Sequence, residues 1–433
     1  MEYLNGHRRV INFFLSYIFV LSGIFGLAGL SEAIAKEYFV AASNGNDKNN
    51  GTNEAPFLTL EKGVSVLSPG DTLNVRGGTY QRNQQLWSPP SGISWGSPIT
   101  IRAYQKEKVV IKPLPGYTVF EFRNNSQYII MDGFIMDATD GHDGIRMGTN
   151  GHHIRISNSE IKNAPHQGIM TSNGSFHEFL RLRIHHNGIT SNTPGQSHGI
   201  YMPGSNNLIE GCEIFNNGTR GVQIYSTAYT PSSNIVRNNR IYNNGVAGAS
   251  GHGIVMWKGK NNQAYNNLVW GNLHDGINTQ HGVGARIYNN TLYENGAYGI
   301  ALLDKSDKSL VKNNLVYQKN GNAGLYIANG SGASVIENNL VIAPDPIKQM
   351  DKSAILGKNF LGMSYDPKFQ DVDKYDFHLT KGSFAIGRGL VIEEVETDFD
   401  GALRSFGLPF DIGAYAFGAA LAPPTNLSII SKN

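Results

Sequence analysis

The chain has 433 residues, with 36 Lys and Arg against 34 Asp and Glu, which gives a formal net charge of +2. This near balance argues against a nucleic-acid partner, because nucleic-acid-binding domains usually carry a strongly basic surface. Charged residues make up only 16% of the sequence, and its single cysteine excludes an internal disulfide and a Cys-based zinc site.

The N-terminus has the features of a secretory signal. His7, Arg8 and Arg9 precede an apolar run over 11–30, which is followed by the small-x-small sequence Ala33-Ile34-Ala35. This pattern predicts a signal peptide at 1–35 that is cleaved after Ala35, and hence a secreted or periplasmic protein. The alternative is an uncleaved anchor, because the run is long enough to span a bilayer. No second run of that length follows, so we expect no membrane contact of the mature chain.

Residues 36–127 are predicted to form an N-terminal cap and the first coils of a repeat structure. A helical pattern over 60–67 precedes a strand pattern over 72–76. A helix at this point would cover the open apolar end of a solenoid, as terminal repeats must.

Regular repeats follow over 128–342. Asn-Asn pairs recur at 238–239, 266–267, 289–290, 313–314 and 338–339, which are 28, 23, 24 and 25 residues apart. After each pair come a short run of alternating apolar residues and, in most repeats, a step from glycine to an apolar residue such as Gly276-Ile277. A weaker version of this frame extends upstream, so about nine coils are predicted.

A period near 24 with two or three short strands per period is typical of a parallel β-helix. Each coil pairs with the next at about 4.8 Å, so equivalent residues stack on one another. Stacked asparagine amides bond to one another and to the backbone, and we therefore interpret the Asn column as scaffold. Cys212 lies inside a repeat and is interpreted as a small buried residue.

The period ends after residue 342. The segments FHLTKGSFAIGRG at 377–389 and DIGAYAF at 411–417 are predicted to belong to an irregular closing segment over 343–421. Residues 422–433 are interpreted as a tail.

With the 38–80 stretch, the nine coils and this ending, the chain resembles secreted right-handed parallel β-helix proteins that act on polysaccharides. The 38–80 stretch is most similar to the caps of pectate lyases of polysaccharide lyase family nine and their relatives. The resemblance covers nearly the whole mature chain. It implies an all-β fold, a right-handed single-stranded parallel β-helix (a pectin-lyase-like solenoid) with an N-terminal helical cap. This scaffold carries lyases, epimerases, hydrolases and non-enzymes, so the resemblance implies a polysaccharide partner more firmly than a reaction.

The resemblance also makes calcium a candidate cofactor, because those pectate lyases use an aspartate cluster for calcium and a catalytic lysine. The nearest match to the cluster is Asp137, Asp140 and Asp143, and no lysine matches the motif. No catalytic residue is therefore carried over, and no metal ligand is assigned. Gly251-His252-Gly253 is similar to a motif of polygalacturonase-type hydrolases, but the aspartate pair upstream of it is missing.

The residue that precedes the glycine-to-apolar step defines a candidate catalytic column. The column includes four consecutive ionisable residues, His198, Arg220, His252 and Asp275, and neighbours in it should lie about 5 Å apart. The two longest insertions, 189–197 and 246–251, precede its two histidines, and long loops on a rigid scaffold often carry binding sites.

Outward-facing residues after the same step extend this column. Tyr201 follows by alternation, and a substrate-binding group is predicted from the later coils. That group consists of Gln223, Tyr225, Trp257, Lys258, Asn278 and Gln280. Aromatic rings pack on sugar faces and cations hold carboxylates, so the combination indicates a uronate-containing polysaccharide.

These residue types fit β-elimination at a uronate. His198 or His252 could remove the C5 proton, and Asp275 could orient His252. Arg220 could neutralise the carboxylate, and Tyr201 or Tyr225 could protonate the leaving oxygen. The predicted function is a polysaccharide lyase.

Several alternatives remain open at this point. The same residues would support a uronate C5-epimerase, while a glycoside hydrolase would need two carboxylic acids about 5–10 Å apart. A non-catalytic glycan-binding surface protein would use the histidines only as scaffold. His142, His166 and His274 are weaker site candidates. A column of aromatic residues, either structural or a sugar platform, is formed by Phe215, Tyr242, Trp270, Tyr293 and Tyr317. A capped solenoid is expected to be a monomer.

Overall fold

The computed structural model describes residues 35–81, 88–189, 197–246, 250–405 and 407–418. The predicted signal at 1–35, except Ala35, and the predicted tail lie outside these residues, as do most of the two insertions at 189–197 and 246–251. In the described part of the chain, no helix is long and apolar enough to cross a membrane.

The described strands form three parallel sheets of 13, 12 and 10 strands, which we call sheets A, B and C. Each complete coil of this right-handed β-helix contributes one strand to A, then one to B and one to C. Among the described residues, the first two coils and the last one lack the strand of sheet C, and the first also lacks that of sheet B. Sheet A comprises Glu37–Val40, Thr72–Val75, Ile99–Ala103, Gln127–Asp132, His152–Ser157, Glu178–Leu180, Leu208–Glu210, Ile235–Arg237, Gln263–Tyr265, Arg286–Tyr288, Leu310–Lys312, Val335–Glu337 and Ile355–Leu356. Sheet B comprises Gly78–Gln81, Val109–Lys112, Phe134–Asp137, Glu160–Lys162, Arg183–His185, Glu213–Phe215, Arg240–Tyr242, Leu268–Trp270, Thr291–Tyr293, Leu315–Tyr317, Leu340–Ile342 and Phe360–Leu361. Sheet C comprises Phe120–Phe122, Ile145–Met147, Ile169–Thr171, Ile200–Met202, Val222–Ile224, Ile254–Trp257, Ile277–Gln280, Tyr298–Leu302, Ala323–Ile327 and Ile347–Gln349.

The Asn-Asn pairs form the corner between sheets A and B, and their two residues have different roles. The first, as in Asn238 with φ 55°, adopts the left-handed backbone conformation that the sharp corner needs. The second is buried, and its amide bonds to both neighbouring coils: Asn239 Nδ2 donates to Asn267 Oδ1 on the next coil at 3.0 Å and to the carbonyl of Ile209 on the preceding coil at 3.0 Å. This confirms the prediction that the Asn column is scaffold.

The same arrangement occurs at two further corners that the sequence analysis did not separate. One ladder leads into sheet A and the other follows sheet B. The ladder that leads into sheet A consists of His177, Asn207, Asn234 and Asn262. The ladder that follows sheet B consists of Asn187, Asn217, Asn244, Asn272, Asn295 and Gln318. Cys212 occupies a ladder position between sheets A and B, where it is buried and burial raises the pKa of its thiol to about 12. It is therefore a structural residue, as predicted.

The N-terminal end is covered by a short helix, Leu60–Ser65, within the predicted range. Thr59 caps the helix by accepting a hydrogen bond from the Lys62 amide, while Leu60 and Val64 are buried against the first strands. A 3₁₀ turn, Tyr104–Lys106, lies between the sheet A strand Ile99–Ala103 and the sheet B strand Val109–Lys112 of one coil.

The coils continue beyond residue 342 as far as Phe360–Leu361, and the C-terminal segment after them packs on the outside of sheet B. It contains an antiparallel pair, Phe369–Asp371 with Asp376–Leu379, and a 3₁₀ turn, Val372–Lys374. Phe377 and Tyr375 contact Trp270, with ring centroids 5.7 and 5.3 Å away. This contact buries the centre of the aromatic column, so Trp270 is structural and is not available as a sugar platform.

Candidate functional site

In the described part of the chain, a cleft of about 610 Å³ lies on the outer face of sheet C. The cleft is bounded by strands Ile145–Met147, Ile169–Thr171, Ile200–Met202 and Val222–Ile224, which pair in register. Its described lining consists of His142, Asp143, Arg146, His166, Gln167, Met170, Tyr201, Arg220, Gln223 and Tyr225.

Alternation along these short strands places the side chains. In each strand the two flanking residues point into the core, so the middle residue points outward. Tyr201 and Gln223 are in register with each other as middle residues of adjacent strands, and Arg146 and Met170 occupy the same position two and one coils earlier.

Four of the predicted site residues line the cleft together: Tyr201, Arg220, Gln223 and Tyr225. Arg220 Nη1 donates to Gln223 Oε1 at 2.9 Å, which directs the guanidinium along the sheet. Burial lowers the pKa of Arg220 from its ordinary value but leaves an arginine charged at neutral pH. Burial also raises the pKa of Tyr201, as does the nearby Tyr225, so the phenol keeps its proton.

His198 lies beneath this surface and not on it. Its side chain is fully buried, its backbone N–H donates to Gln167 Oε1 at 3.0 Å, and its Nδ1 lies 2.5 Å from Thr219 Oγ1. Its ring stacks under Tyr201 with centroids 5.9 Å apart. This position suits support of Tyr201 better than contact with a substrate.

His252 and Asp275 form the predicted pair on the next two coils. His252 Nδ1 lies 3.1 Å from Asp275 Oδ2 and 3.1 Å from Asn278 Nδ2. Burial raises the pKa of Asp275, but hydrogen bonds from His252 and Asn278 outweigh it and hold that pKa below its usual value. The imidazole is 16% exposed and lies beside the described cleft lining.

The other predicted binding residues lie further along the same coils. Trp257 packs against Tyr225 with ring centroids 4.4 Å apart, which extends the aromatic surface of the cleft. Lys258 Nζ donates to the Thr227 carbonyl at 3.0 Å, and Gln280 is in register with Trp257. These residues do not line the described cleft.

A second His–Asp pair lies at the opposite end of the cleft. His142 Nδ1 is 3.1 Å from Asp143 Oδ2, and Arg146 Nη2 donates to the same oxygen at 2.7 Å. Asp143 is fully buried; burial raises its pKa, but the bonds from His142 and Arg146 hold it below the usual value. The His166 ring stacks on His142 with centroids 4.1 Å apart, and burial lowers its pKa.

Arg146 and Met170 were not selected from the sequence. Each follows the glycine-to-apolar step in the same way as Tyr201. Outward-facing residues, however, were predicted only for the coil of Tyr201 and those after it. Extending the alternation to the coils at Gly144 and Gly168 would have found both residues.

The three aspartates compared with a calcium cluster do not fit that role. Asp143 is committed to Arg146, and Asp137 Oδ1 accepts hydrogen bonds from Thr139 and Asn163. Within the ranges that the structure describes, no three His, Cys, Asp or Glu side chains are grouped so that they could hold a metal ion.

Comparison with known proteins agrees with the fold. Residues 38–193 match the family model described as Pel9A-like, right handed beta helix region, and residues 181–341 match that of a right handed beta helix region. The chain is 31% identical over 181 residues to the uncharacterized protein YwoF of Bacillus subtilis, and 32% identical over 91 residues to the pectate lyase PEL9 of Emericella nidulans. These matches cover 42% and 21% of this chain, but only 35% and 22% of the relatives' own lengths.

Solved structures show the same architecture. Pectate lyase Pel9A aligns with a TM-score of 0.67 and 18% identity, over 88% of this chain and 96% of that one. XylC in complex with xylose aligns at 0.56 and 13% identity, over 88% and 98% of the two chains. A glycoside hydrolase aligns at 0.57 and 13% identity, over 80% and 99%. The chain is thus a right-handed parallel β-helix protein with a Pel9A-like fold, as its resemblance to these polysaccharide-active proteins predicted.

Proposed function

We propose that the protein is a polysaccharide lyase that cleaves a uronate-containing polysaccharide by β-elimination in the cleft on sheet C. The observation that carries this proposal is the presence of a protonated phenol, Tyr201, and a guanidinium, Arg220, in one cleft, with the His252–Asp275 pair on the next two coils. The similarity of the 91-residue segment to a pectate lyase supports the same class of substrate.

The cleft supplies the groups that the reaction needs. A base removes the proton from C5 of the uronate, the C4–O4 bond breaks, and the phenol of Tyr201 protonates O4 as it leaves. A C4=C5 double bond forms, conjugated with the carboxylate. Arg220 beside that carboxylate stabilises the negative charge that develops when C5 loses its proton.

Of the imidazoles, His252 is best placed to be the base. It lies one coil beyond Arg220, so one uronate can bring its carboxylate to the guanidinium and its C5 proton to the imidazole, and Asp275 on its Nδ1 leaves Nε2 to accept that proton. His142, held in the same way by Asp143, is the second candidate, but it lies three coils before Arg220 at the opposite end of the cleft.

Hydrolysis is supported less well by the same geometry. A glycosidase needs two carboxylic acids about 5–10 Å apart. Among the described lining residues Asp143 is the one carboxylate, and it is engaged by Arg146. Epimerisation at C5 would use the same residues, with the proton returned on the opposite face of the sugar. Action outside the cytoplasm, as a monomer, is part of this proposal.

Purified protein should be tested on pectate, alginate, glycosaminoglycans and neutral glycans. We expect reducing ends and the ultraviolet absorbance of unsaturated uronates to rise together on an acidic polymer. Reducing ends without absorbance would establish hydrolysis instead. If neither signal rises, exchange of the C5 proton in deuterated water would identify an epimerase, and its absence on every polymer would contradict catalysis at uronates.

The base can be identified by substitution. His252→Ala should lower kcat by at least about 100-fold, because general base catalysis typically contributes 10²- to 10⁴-fold, and added imidazole should restore part of the rate. His142→Ala should lower kcat by less than about tenfold. The reverse pattern would transfer the role of base to His142.

A further inference from the structure

Arg146 lies in the cleft but has no role in the chemistry described above. It is the outward residue of strand Ile145–Met147, whose two flanking side chains are completely buried. Backbone pairing places it between Glu121 on the preceding coil and Met170 on the following one. The rigid sheet therefore fixes where this cation meets a ligand.

The guanidinium is also fixed in orientation. Its Nε and Nη2 donate to Asp143 Oδ2 at 3.1 and 2.7 Å. Asp143 is held in turn by the backbone N–H of Gln167, which donates to Oδ1 at 3.0 Å, and by His142. Because these bonds use one edge of the guanidinium, its Nη1 end is left to face the cleft, and the side chain is 38% exposed.

The charge of the cleft favours an anion. Its described lining contains two guanidinium groups and one carboxylate, and the carboxylate is fully buried behind Arg146. A ligand therefore meets the positive side of the pair. Guanidinium groups bind carboxylates with strong, directional hydrogen bonds, particularly where water is partly excluded.

We propose that Arg146 binds a carboxylate of the uronate polymer, and that this recognition requires no divalent cation. The inference rests on the proposed function and adds a second carboxylate site to that of Arg220. The strands of Arg146 and Arg220 are three inter-strand steps apart in sheet C, or about 14 Å, so the two cations bind different sugar residues of one chain. A chain that carries more than one uronate is thus the preferred substrate.

The same contacts oppose calcium at this position. A divalent cation that approached Asp143 would be repelled by the guanidinium and would find both carboxylate oxygens already engaged. The guanidinium of Arg146 thus provides the positive charge that a bound cation would otherwise provide for a ligand carboxylate.

The test is binding, measured apart from turnover. Hexamers of galacturonate, mannuronate and guluronate, and their methyl esters, should be titrated calorimetrically into the protein in buffer that contains EDTA. We expect at least one acidic hexamer to bind with the same affinity with and without calcium, and its methyl ester to bind at least about tenfold more weakly.

Arg146→Gln alone would leave the buried Asp143 without its cation, so the double variant Arg146→Gln/Asp143→Asn is the safer probe. It should lose at least about tenfold in affinity for the acidic hexamer and keep its affinity for the ester. Lys348→Gln is the matched control: Lys348 lies in the same outward column of sheet C, is exposed, and is remote from the cleft. Its affinities should not change.

Binding that disappears with EDTA, or a double variant that keeps its affinity, would overturn the inference. Ultraviolet assays on the same samples separate this result from failure of the proposed function. Calcium-free binding that depends on Arg146 without turnover would contradict the lyase but support the carboxylate site. Turnover that requires calcium would do the opposite, and no binding to any acidic hexamer would contradict both.

Discussion

Tyr201 shows how one residue obtains its properties from its neighbours. It lies in the middle of a three-residue strand, over the buried ring of His198 and beside Tyr225, whose ring centroid is 6.2 Å away. Burial raises its pKa, so at neutral pH the phenol is a proton donor. These contacts hold the proton at the surface of the cleft and suit it to protonate a leaving oxygen.

Tyr201→Phe should therefore lower kcat by at least about 100-fold and change KM little, because the ring and its stacking remain while the proton is lost. Steady-state ultraviolet assays would measure both constants. Tyr326→Phe is the control, since Tyr326 occupies the same outward column of sheet C outside the described cleft lining. A Tyr201→Phe enzyme with unchanged kcat would remove Tyr201 as the acid.

The asparagine ladders show what an element of this fold needs at each position. A ladder residue must accept a hydrogen bond from the coil before it and donate one to the coil after it, which one amide side chain does. His177 occupies the first described position of the ladder that leads into sheet A: its Nδ1 accepts from the Ile154 amide at 3.3 Å. Its Nε2 is buried with no hydrogen-bond partner among the described residues. Burial lowers the pKa of His177 to about 3.

The sign of the resulting pH dependence follows directly. Below pH 6.5 the unfolded chain binds a proton at His177 while the folded chain does not, so the free energy of unfolding falls as the pH decreases toward 3. The loss is about 1.4 kcal/mol per pH unit, or about 2 kcal/mol at pH 5.

His177→Asn should extend the ladder and remove this loss. Urea unfolding at pH 7.5 and pH 5 should show a variant whose free energy of unfolding, relative to wild type, improves by about 2 kcal/mol between the two pH values. Gln318→Asn, at the last position of the ladder that follows sheet B, replaces a residue that carries no titratable group and should leave the pH dependence unchanged. Identical pH dependence in wild type and His177→Asn would show that His177 is not the group responsible.

At the scale of the whole molecule, the C-terminal segment determines which face of the solenoid is open. Arg404 anchors it: the side chain is buried, and Nη2 donates to the carbonyls of Gly413 and Ala414 at 2.9 Å and to Asn266 Oδ1 at 3.3 Å. Burial lowers its pKa to about 10. Because Asn266 is a corner residue of the coils, this one cation ties the segment to the scaffold.

Arg404→Met should loosen the segment by about 2–4 kcal/mol, because several buried carbonyl groups lose their donor. Limited proteolysis should then cut after residue 361 while the coils resist, and the fluorescence of Trp270 should shift as Tyr375 and Phe377 leave it. Arg388→Met, at an exposed position of the same segment, is the control and should behave as wild type. Equal resistance of both variants would show that Arg404 is not the anchor.

Much of the fold was predictable because each coil repeats the same short sequence pattern. Asn-Asn pairs give the corners and apolar alternation gives the strands, and the short capping helix falls within its predicted range. Tyr201, Arg220, Gln223 and Tyr225 were brought together by the same reasoning, since stacked coils place equivalent residues side by side.

The orientation of individual side chains could not be predicted in this way. The sequence aligned His198 with Arg220, but His198 is buried beneath the cleft whereas Arg220 lines it. This difference depends on the contacts of His198 with Thr219 and Gln167 on neighbouring coils.

By itself, the sequence determined a stack of coils with polar outward columns on each sheet, because hydrogen bonds between adjacent coils repeat a local pattern. Only the tertiary structure decided which column faces solvent. The described part of the C-terminal segment covers the aromatic column of sheet B through contacts between residues more than 100 positions apart, such as Asn266 with Thr397, and contributes no residue to the described lining of the cleft on sheet C. A repeat carries no information about so distant a contact, which depends on the burial of Trp270 and its neighbours under the returning chain.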